Sequence, residues 1–284
     1  MAVDQNWRWT PPGGTELDLQ QLGFNIMSYA GRTVMSGRRS DNMVVPYRHG
    51  RLWVPKYYEQ RVLTLAMWVV GADPATGAPD PDPQSKMWQN VEMLSRAFVT
   101  DRGLGLLKKL HPTQGKDVVA EAEVADQIDF RTNPGAQRAV FIVDLTLPNV
   151  WFEDVNFVGE SAYVSRNDQD TWTVTVDSDV PIYDPVIQLR APATGTPSNI
   201  VLTNQTLGAD FWMKYSDVMQ SNEEVVIDAG KWTAVLDGAT NVVNNVRSSG
   251  QPQFFQLVPG ANVIKIDVTG GPVDVMIKAK GKYW

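Results

Sequence analysis

The sequence predicts a mainly β protein of two domains, with one helix in the first half and a β-sandwich in the second. Three observations support this fold class. The chain has 284 residues, a comfortable length for two domains. Apolar and polar residues alternate with a period of two in several segments of both halves, as in antiparallel sheets with one solvated face. Residues 82–103 instead place their apolar residues at helical spacing.

The first half contains a strand pattern followed by a helix pattern. Residues 62–70 are apolar at nearly every position, which predicts a strand covered on both faces. Beyond a proline-rich loop, Asp82 can cap a helix, Pro83 suits its first turn and Gly103 is the expected stop. We expect this helix to pack across the first-half sheet through one apolar stripe, formed by Met87, Val91, Leu94 and Phe98.

The second half has the pattern of a β-sandwich. We place the domain boundary between residues 150 and 168, with domains at 1–150 and 151–284. Beyond the boundary, strand patterns recur every 8–14 residues with Gly, Asn, Asp and Pro between them. Their inward-facing residues are expected to form the core: Trp172, Val174, Val176, Ile264, Ile266, Val268, Val273, Val275, Ile277 and Ala279.

Composition excludes several kinds of site. The chain is 43% hydrophobic and 20% charged and has no cysteine, so disulfides, zinc–thiolate sites, iron–sulfur sites and thiol nucleophiles are absent. Its apolar runs are too short for a membrane-spanning helix, and residues 1–14 lack the layout of a signal peptide. We therefore expect assembly in a cytoplasm and no membrane insertion.

The net charge of −7 lies in the second half. Residues 1–149 carry 16 basic and 16 acidic side chains, whereas residues 150–284 carry 9 basic and 16 acidic ones. A nucleic-acid binder needs a net basic face, so this distribution argues against that function for the whole chain.

Residues suited to catalysis are few and unorganised. The two histidines, His49 and His111, lie in loops, and the sequence has no nucleophile elbow, phosphate-binding loop or dinucleotide fingerprint. Acidic residues cluster at turns, where they normally cap backbone amides: Glu153, Asp154, Asp168, Asp170, Asp177, Asp179 and Asp184. We predict no enzyme, no cofactor and no metal site. A wall-degrading hydrolase that uses the acids after Glu153 is the least favoured alternative.

The loop before residue 62 is crowded with cations and aromatic residues. Seven cations and only two acids lie between residues 32 and 61. Arginine and aromatic residues are enriched at protein–protein interfaces, and no base or nucleophile is organised here. We predict a subunit interface, with a solvated hairpin tip as the alternative. The candidate interface residues are Arg38, Arg39, Tyr47, Arg48, Arg51, Trp53, Tyr57 and Tyr58.

Two tryptophans of the second half are candidates for a different contact. Trp172 belongs to an alternating apolar face and is expected in the core. Trp212 and Trp232 lack such a pattern, and an exposed indole on a β-sandwich can stack on a sugar. They are the candidate glycan contacts.

Four stretches of the chain, in order, carry a likeness to a known family. The first is "VVPYRHGRLWVPKYYEQRVLTLAMWVVG" at residues 44–71. The others are "DPVIQLRAP", "NEEVVIDAGKWTAVLDGATNVV" and "QFFQLVPGANVIKID". Together they resemble the distal tail proteins of long-flexible-tailed (siphovirus-type) bacteriophages. The likeness spans residues 20–284; it departs at Glu223 and Glu224, where a glycine usually precedes the acid. Residues 1–20, with Trp7 and Trp9, match nothing in the family.

The resemblance implies a fold, a role and a location. The fold is an N-terminal β-sandwich with one packed α-helix, followed by a C-terminal galectin-like β-sandwich. The role is that of a structural virion protein, which forms a hexameric ring at the distal end of the tail. The implied partners are further copies of the chain, the tail tube protein and the tail-tip hub or baseplate protein, with DNA only passing through the channel. The alternative function is a carbohydrate-binding module that recognises host surface glycans.

Overall fold

A computed structural model describes residues 6–30, 60–99, 101, 103–111, 115–125, 128–132, 137–249 and 255–284, together with the backbone of four short strands between residues 38 and 58. The described residues are mainly β with one α-helix, which confirms the predicted fold class. Contacts divide the chain into two compact units, Met1–Phe152 with Trp284, and Glu153–Tyr283.

The first unit contains one helix among antiparallel strands. Its elements are β1 (Arg8–Thr10), β2 (Leu17–Asp18), β3 (Phe24–Ala30), β4 (Arg38–Arg39), β5 (Met43–Val44), β6 (Arg51–Leu52), β7 (Tyr57–Tyr58), β8 (Arg61–Val70), α1 (Pro83–Ala97), β9 (Gly105–Leu110), β10 (Asp117–Val124), β11 (Asp129–Thr132) and β12 (Arg138–Leu147). β13 (Phe152–Asp154) lies at the boundary.

The strands of the first unit form two connected ladders. One runs β2-β1-β9-β10, and the other runs β12-β8-β3 with β11 on the free part of β12. The end of β10 joins the two, since Glu123 is opposite Thr146 and Val124 is opposite Leu145. The long pair β8–β12 is in register over its whole length, from Arg61 opposite Leu147 to Val70 opposite Arg138.

Helix α1 covers the inner face of the β8–β12 ladder, as expected. Its cap is the predicted one, because the Asp82 side chain accepts from the Ser85 backbone amide at 3.1 Å. The expected apolar stripe is buried: Met87, Val91, Leu94 and Phe98. The buried Asn90 side chain ties the helix to the sheet by donating to the carbonyls of Val70 and Ala72, both at 2.9 Å.

The prediction that α1 stops at Gly103 is wrong, since the helix ends at Ala97. The reason is a contact from the start of the chain. The Trp9 indole donates to the Ala97 carbonyl at 2.6 Å, which satisfies an end-of-helix acceptor without another turn. The Trp9 ring also stacks on Phe98 at 5.2 Å between centroids.

Of the first twenty residues, which match nothing in the family that the sequence resembles, residues 6–20 are described and are part of the fold. β1 pairs with both β2 and β9, so it is an internal strand. Trp7 and Trp9 are completely buried, and Trp7 meets Phe152 edge to face at 6.1 Å between centroids. Each ring removes a large apolar area from water, so this segment contributes substantially to the first core.

The second unit is a two-sheet β-sandwich. Its elements are β14 (Val158–Gly159), β15 (Val164–Arg166), β16 (Thr171–Val176), β17 (Val186–Arg190), β18 (Ser198–Asn204), β19 (Trp212–Val218), β20 (Glu224–Asp228), β21 (Thr233–Leu236), β22 (Thr240–Asn241), a 3₁₀ turn (Val243–Asn245), β23 (Val246–Ser248), β24 (Gly260–Thr269), β25 (Val273–Ala279) and β26 (Lys282–Tyr283).

The two sheets enclose one apolar core. The seven-stranded sheet runs β14-β25-β17-β20-β21-β22, with β15 also on β25. The five-stranded sheet runs β16-β24-β18-β19-β23. All the inward residues expected from the sequence are buried, from Trp172 on β16 to Ala279 on β25. A period of two therefore identified the core faces of both sheets.

Candidate assembly surface

The outer face of the β8–β12 ladder is apolar at its centre. Leu63, Leu65, Met67 and Val69 alternate inward along β8, so the residues between them point outward. The register pairs Trp68 with Val140, and Ala66 with Ile142. Directly opposed residues share a face, so these four side chains form one patch.

The prediction that residues 62–70 are covered on both faces is wrong for the single chain. Trp68 is 38% exposed and Val62 is 45% exposed. The apolar character of the outer face is real, but in the single chain this face stays partly in water. An apolar sheet face of this kind is typical of a surface that another protein covers.

A polar rim surrounds the apolar patch. On β3, Asn25 is opposite Trp68 and Ser28 is opposite Ala66, and both are exposed. On β11, Arg131 and Asp129 form an ion pair at 3.0 Å. Beyond Ala66 the same face turns polar, since Thr64 is opposite Asp144 and donates to its carboxylate. We call the patch of Ala66, Trp68, Val140 and Ile142, with this rim, the open face. An apolar centre within a polar rim is the usual anatomy of a protein–protein interface.

An arginine lies at the edge of the central tryptophan. The guanidinium carbon of Arg138 is 5.1 Å from the centroid of the Trp68 ring, within the range of a cation–π contact. Tryptophan and arginine are the residue types that most often dominate binding energy at interfaces. The open face therefore has a suitable anchor at its centre.

Within the cationic loop predicted from the sequence, the structure describes two pairs of short antiparallel strands. Arg38 is opposite Tyr58 and Arg39 is opposite Tyr57. Further along, Met43 is opposite Leu52 and Val44 is opposite Arg51. These four strands lie between β3 and β8 in the sequence. We call residues 38–58 the arm. Of the candidate interface residues, Tyr47, Arg48 and Trp53 lie outside the described residues.

The structure places the two candidate glycan contacts on different sheets. Trp212 begins β19 of the five-stranded sheet and is half-buried. Trp232 is 61% exposed, with a positive φ of 55°, in the turn between β20 and β21 of the seven-stranded sheet. The two indoles therefore do not form one site.

Two acidic side chains at turns of the second unit hold the backbone. Asp168 accepts from the Val268 amide at 2.9 Å, and Asp170 accepts from the Asn167 amide at 2.7 Å. Within the described ranges, no group of three or more His, Asp or Glu side chains is placed to hold a metal ion. His111 follows β9 in a turn closed by its amide and the Lys116 carbonyl, while His49 lies outside the described residues.

Two tyrosines of the second unit are held in their protonated form. Burial raises the pKa of Tyr283, and the nearby Asp154 carboxylate, which accepts from its hydroxyl at 3.0 Å, raises this pKa further. Burial likewise raises the pKa of Tyr163, whose hydroxyl donates to Glu224 at 2.6 Å. Both groups act as hydrogen-bond donors that stabilise the fold.

The described part of the chain also lacks any helix with the length and hydrophobicity that a membrane crossing requires.

Comparison with solved structures identifies a fold match over the whole chain. The Dit protein of phage SPP1, described as a paradigm of the hub adsorption apparatus in phages that infect Gram-positive bacteria, has a TM-score of 0.65 at 12% identity. The match covers 98% of this chain and 99% of the SPP1 protein. At this identity the likeness shows a shared fold.

Two baseplate structures of phage p2 match more weakly. The activated conformation with strontium has a TM-score of 0.44 at 9% identity and covers 100% of both chains. The activated conformation with calcium has the same TM-score and identity and covers 99% of both. No protein-family model and no curated protein matches the sequence.

Proposed function

We propose that this protein is a structural component of a phage tail tip, where copies of the chain form a ring. The observation that carries the proposal is the open face, an apolar sheet surface with a tryptophan at its centre and a polar rim. The fold likeness to SPP1 Dit over 98% of the chain supports the same role. The role is structural rather than enzymatic.

The arm is the second half of the proposed contact. A ring needs a heterologous interface, in which one patch of a subunit meets a different patch of the next. The open face offers an apolar centre whose rim contains Asp129, already paired with Arg131. The arm offers five cations against one acid, with aromatic residues between them. We propose that the arm of one copy contacts the open face of its neighbour.

The finer features of the role follow the family resemblance. We propose a hexameric ring in the virion that joins the tail tube protein to the tail-tip hub or baseplate protein and leaves a channel for DNA. Many cations facing the channel would bind phosphates tightly and slow the release of DNA. The arm arginines, including Arg38, Arg39, Arg48 and Arg51, are therefore proposed to face protein neighbours.

Sedimentation velocity of the full chain tests the ring. The variant Trp68→Lys places a charge at the centre of the open face. An unpaired buried charge costs about 3–5 kcal/mol, which corresponds to more than a hundredfold weaker association. We expect the parent protein to sediment as a closed oligomer and Trp68→Lys as a folded monomer.

The matched control is Trp232→Lys, the same change at a more exposed tryptophan of the second unit. This variant should keep the parent oligomer. A parent protein that stays monomeric at high concentration would refute the ring. A ring that survives in Trp68→Lys would place the interface elsewhere.

A further inference from the structure

The second unit has a cavity on the outer face of its five-stranded sheet. Its volume is about 370 Å³. The described residues that line it are Thr203, Gln205, Ala209, Lys265 and Asp267. This volume falls within the range of small-molecule sites, which is roughly 300–1,000 Å³.

Strand register brings the floor of the cavity together from β24 and β18. Lys265 is opposite Thr203, and both point outward because their neighbours Ile264, Ile266 and Leu202 are buried in the core. Thr203 is in turn opposite Trp212 on β19. The half-buried Trp212 is therefore the cross-strand neighbour of the lining residue Thr203 on the outer face, although it does not itself line the cavity.

The β18–β19 loop supplies the wall of the cavity and is held by backbone hydrogen bonds. The Gln205 amide donates to the Val263 carbonyl of β24 at 2.8 Å, and the Gly208 amide donates to the Gln205 carbonyl at 3.2 Å. The loop then closes where the Asn204 amide donates to the Phe211 carbonyl at 2.9 Å. The wall that presents Ala209 is thus formed before any ligand arrives.

The polar groups of the cavity include both donors and acceptors, and their charges compensate. The Lys265 ammonium donates to the Asp267 carboxylate at 3.0 Å. The side-chain amide of Gln169 donates to the same carboxylate oxygen. A carboxylate keeps further lone pairs and an ammonium keeps further hydrogens, so both can bind additional groups. Because the two charges offset one another, the cavity suits a neutral ligand with hydroxyl groups.

We propose that this cavity binds one sugar ring of a neutral carbohydrate. Ring hydroxyls both donate and accept, which matches Asp267, Lys265, Gln205 and the Thr203 hydroxyl. The apolar face of the same ring would lie against the indole of Trp212, since sugars, like tryptophan, combine apolar and polar edges. The site belongs to the second unit alone, so the proposal is independent of the ring.

A glycan array of neutral hexose and N-acetylhexosamine oligosaccharides, probed with the full-length protein, tests the proposal. Isothermal titration calorimetry with the best-binding oligosaccharide then compares variants. Asp267→Ala removes the shared carboxylate and should weaken binding at least tenfold, since hydrogen bonds to charged groups are among the strong ones. Trp212→Ala should also weaken binding at least tenfold through loss of the stacking surface.

The matched control is Trp232→Ala, which removes the exposed tryptophan of the other sheet and should bind like the parent. Thermal unfolding of each variant establishes whether it is folded. Asp267→Asn keeps the shape of the side chain and replaces Asp267→Ala if that variant is not folded. The proposal is overturned if no neutral oligosaccharide binds. It is equally overturned if binding persists in Asp267→Asn and Trp212→Ala.

Discussion

The outer faces of two sheets in this protein differ in composition although their inner faces are alike. On β8, the outward residues are Val62, Thr64, Ala66, Trp68 and Val70, of which only Thr64 is polar. On β16, the outward residues are Thr171, Thr173 and Thr175, all exposed. Both strands bury apolar residues on the inner face. A sheet face that remains in water needs polar residues, so the apolar outer face of β8 is the one that requires a partner.

This comparison separates two proposals that could be confused. The open face is apolar and has an arginine beside a tryptophan, which suits a protein surface that excludes water. The outer face of the five-stranded sheet is wet and polar, with one half-buried tryptophan beside a cavity. Such a face suits a hydroxyl-rich ligand. The two contacts therefore use different physical chemistry.

The largest expected effect comes from the inner face of β24. Ile266 is completely buried in the second core, so Ile266→Ala should lower the free energy of unfolding of this unit by about 2–5 kcal/mol. This is a large share of a typical total of roughly 5–15 kcal/mol. Differential scanning calorimetry of the full chain measures it.

The control for Ile266→Ala lies on the outer face of the same strand. Val263 is 39% exposed, and Val263→Ala should change the free energy of unfolding by less than about 0.5 kcal/mol. Equal losses in the two variants would mean that the outer face of β24 is not the solvated one.

The second-largest effect concerns the open face. We expect it in the dissociation constant of the oligomer rather than in the free energy of unfolding. Ile142→Thr gives the open face the residue type found on the outer face of β16, and Ile142 is only half-buried in the single chain. Loss of the apolar carbons of Ile142 weakens each subunit–subunit interface by about 1–2 kcal/mol, which raises the dissociation constant roughly tenfold. Concentration-dependent sedimentation measures this change.

Val263→Thr, the corresponding change on the second unit, should leave the dissociation constant of the oligomer unchanged. If both variants weaken association equally, the outer face of the five-stranded sheet is also an assembly surface, and the contrast between the two faces fails.

Much of the fold could be predicted because alternation along a strand is a local signal. The inward residues of β16, β24 and β25 are buried as expected, and the cap and apolar stripe of α1 are those predicted. The end of α1 could not be predicted locally. It depends on Trp9, which lies 88 positions before Ala97. A contact over that distance leaves no mark in the sequence around residue 97.

The candidate sites were predictable only in part for a related reason. Apolar residues on both sides of β8 indicate two covered faces, but a single sequence does not tell whether the second cover comes from the same chain or from another copy. The cavity beside Trp212 depends on the register of β24, β18 and β19 and on the loop after β18. Because these residues are separated in sequence, Trp212 was the one residue of this region that the sequence analysis named as a candidate ligand contact.

The smallest expected effect is a pH dependence of the polar outer surface of the second unit. The Arg190 guanidinium lies over the Tyr163 ring at 4.3 Å and pairs with Asp274 at 2.8 Å, while the Tyr163 hydroxyl donates to Glu224. Burial, together with the neighbouring Glu224, raises the pKa of Tyr163 above its ordinary value near 10.

The sign of this dependence follows from linkage. A tyrosine with a raised pKa keeps its proton in the folded state at a pH where the unfolded chain has already lost it. Its contribution to stability is complete below about pH 10 and is lost as the pH rises further, because the unfolded state then binds fewer protons.

Urea unfolding at pH 8 and at pH 11 should therefore show a loss of stability that is smaller in Tyr163→Phe than in the parent. At pH 8 the variant itself should be about 0.5–1.5 kcal/mol less stable, through loss of the hydrogen bond. Self-association through the apolar open face, compared at pH 8 and pH 9.5 where this tyrosine remains protonated, should not change by more than about twofold. A parent protein equally stable at both unfolding pH values, or a variant with the full alkaline loss, would show that Tyr163 does not link this surface to pH.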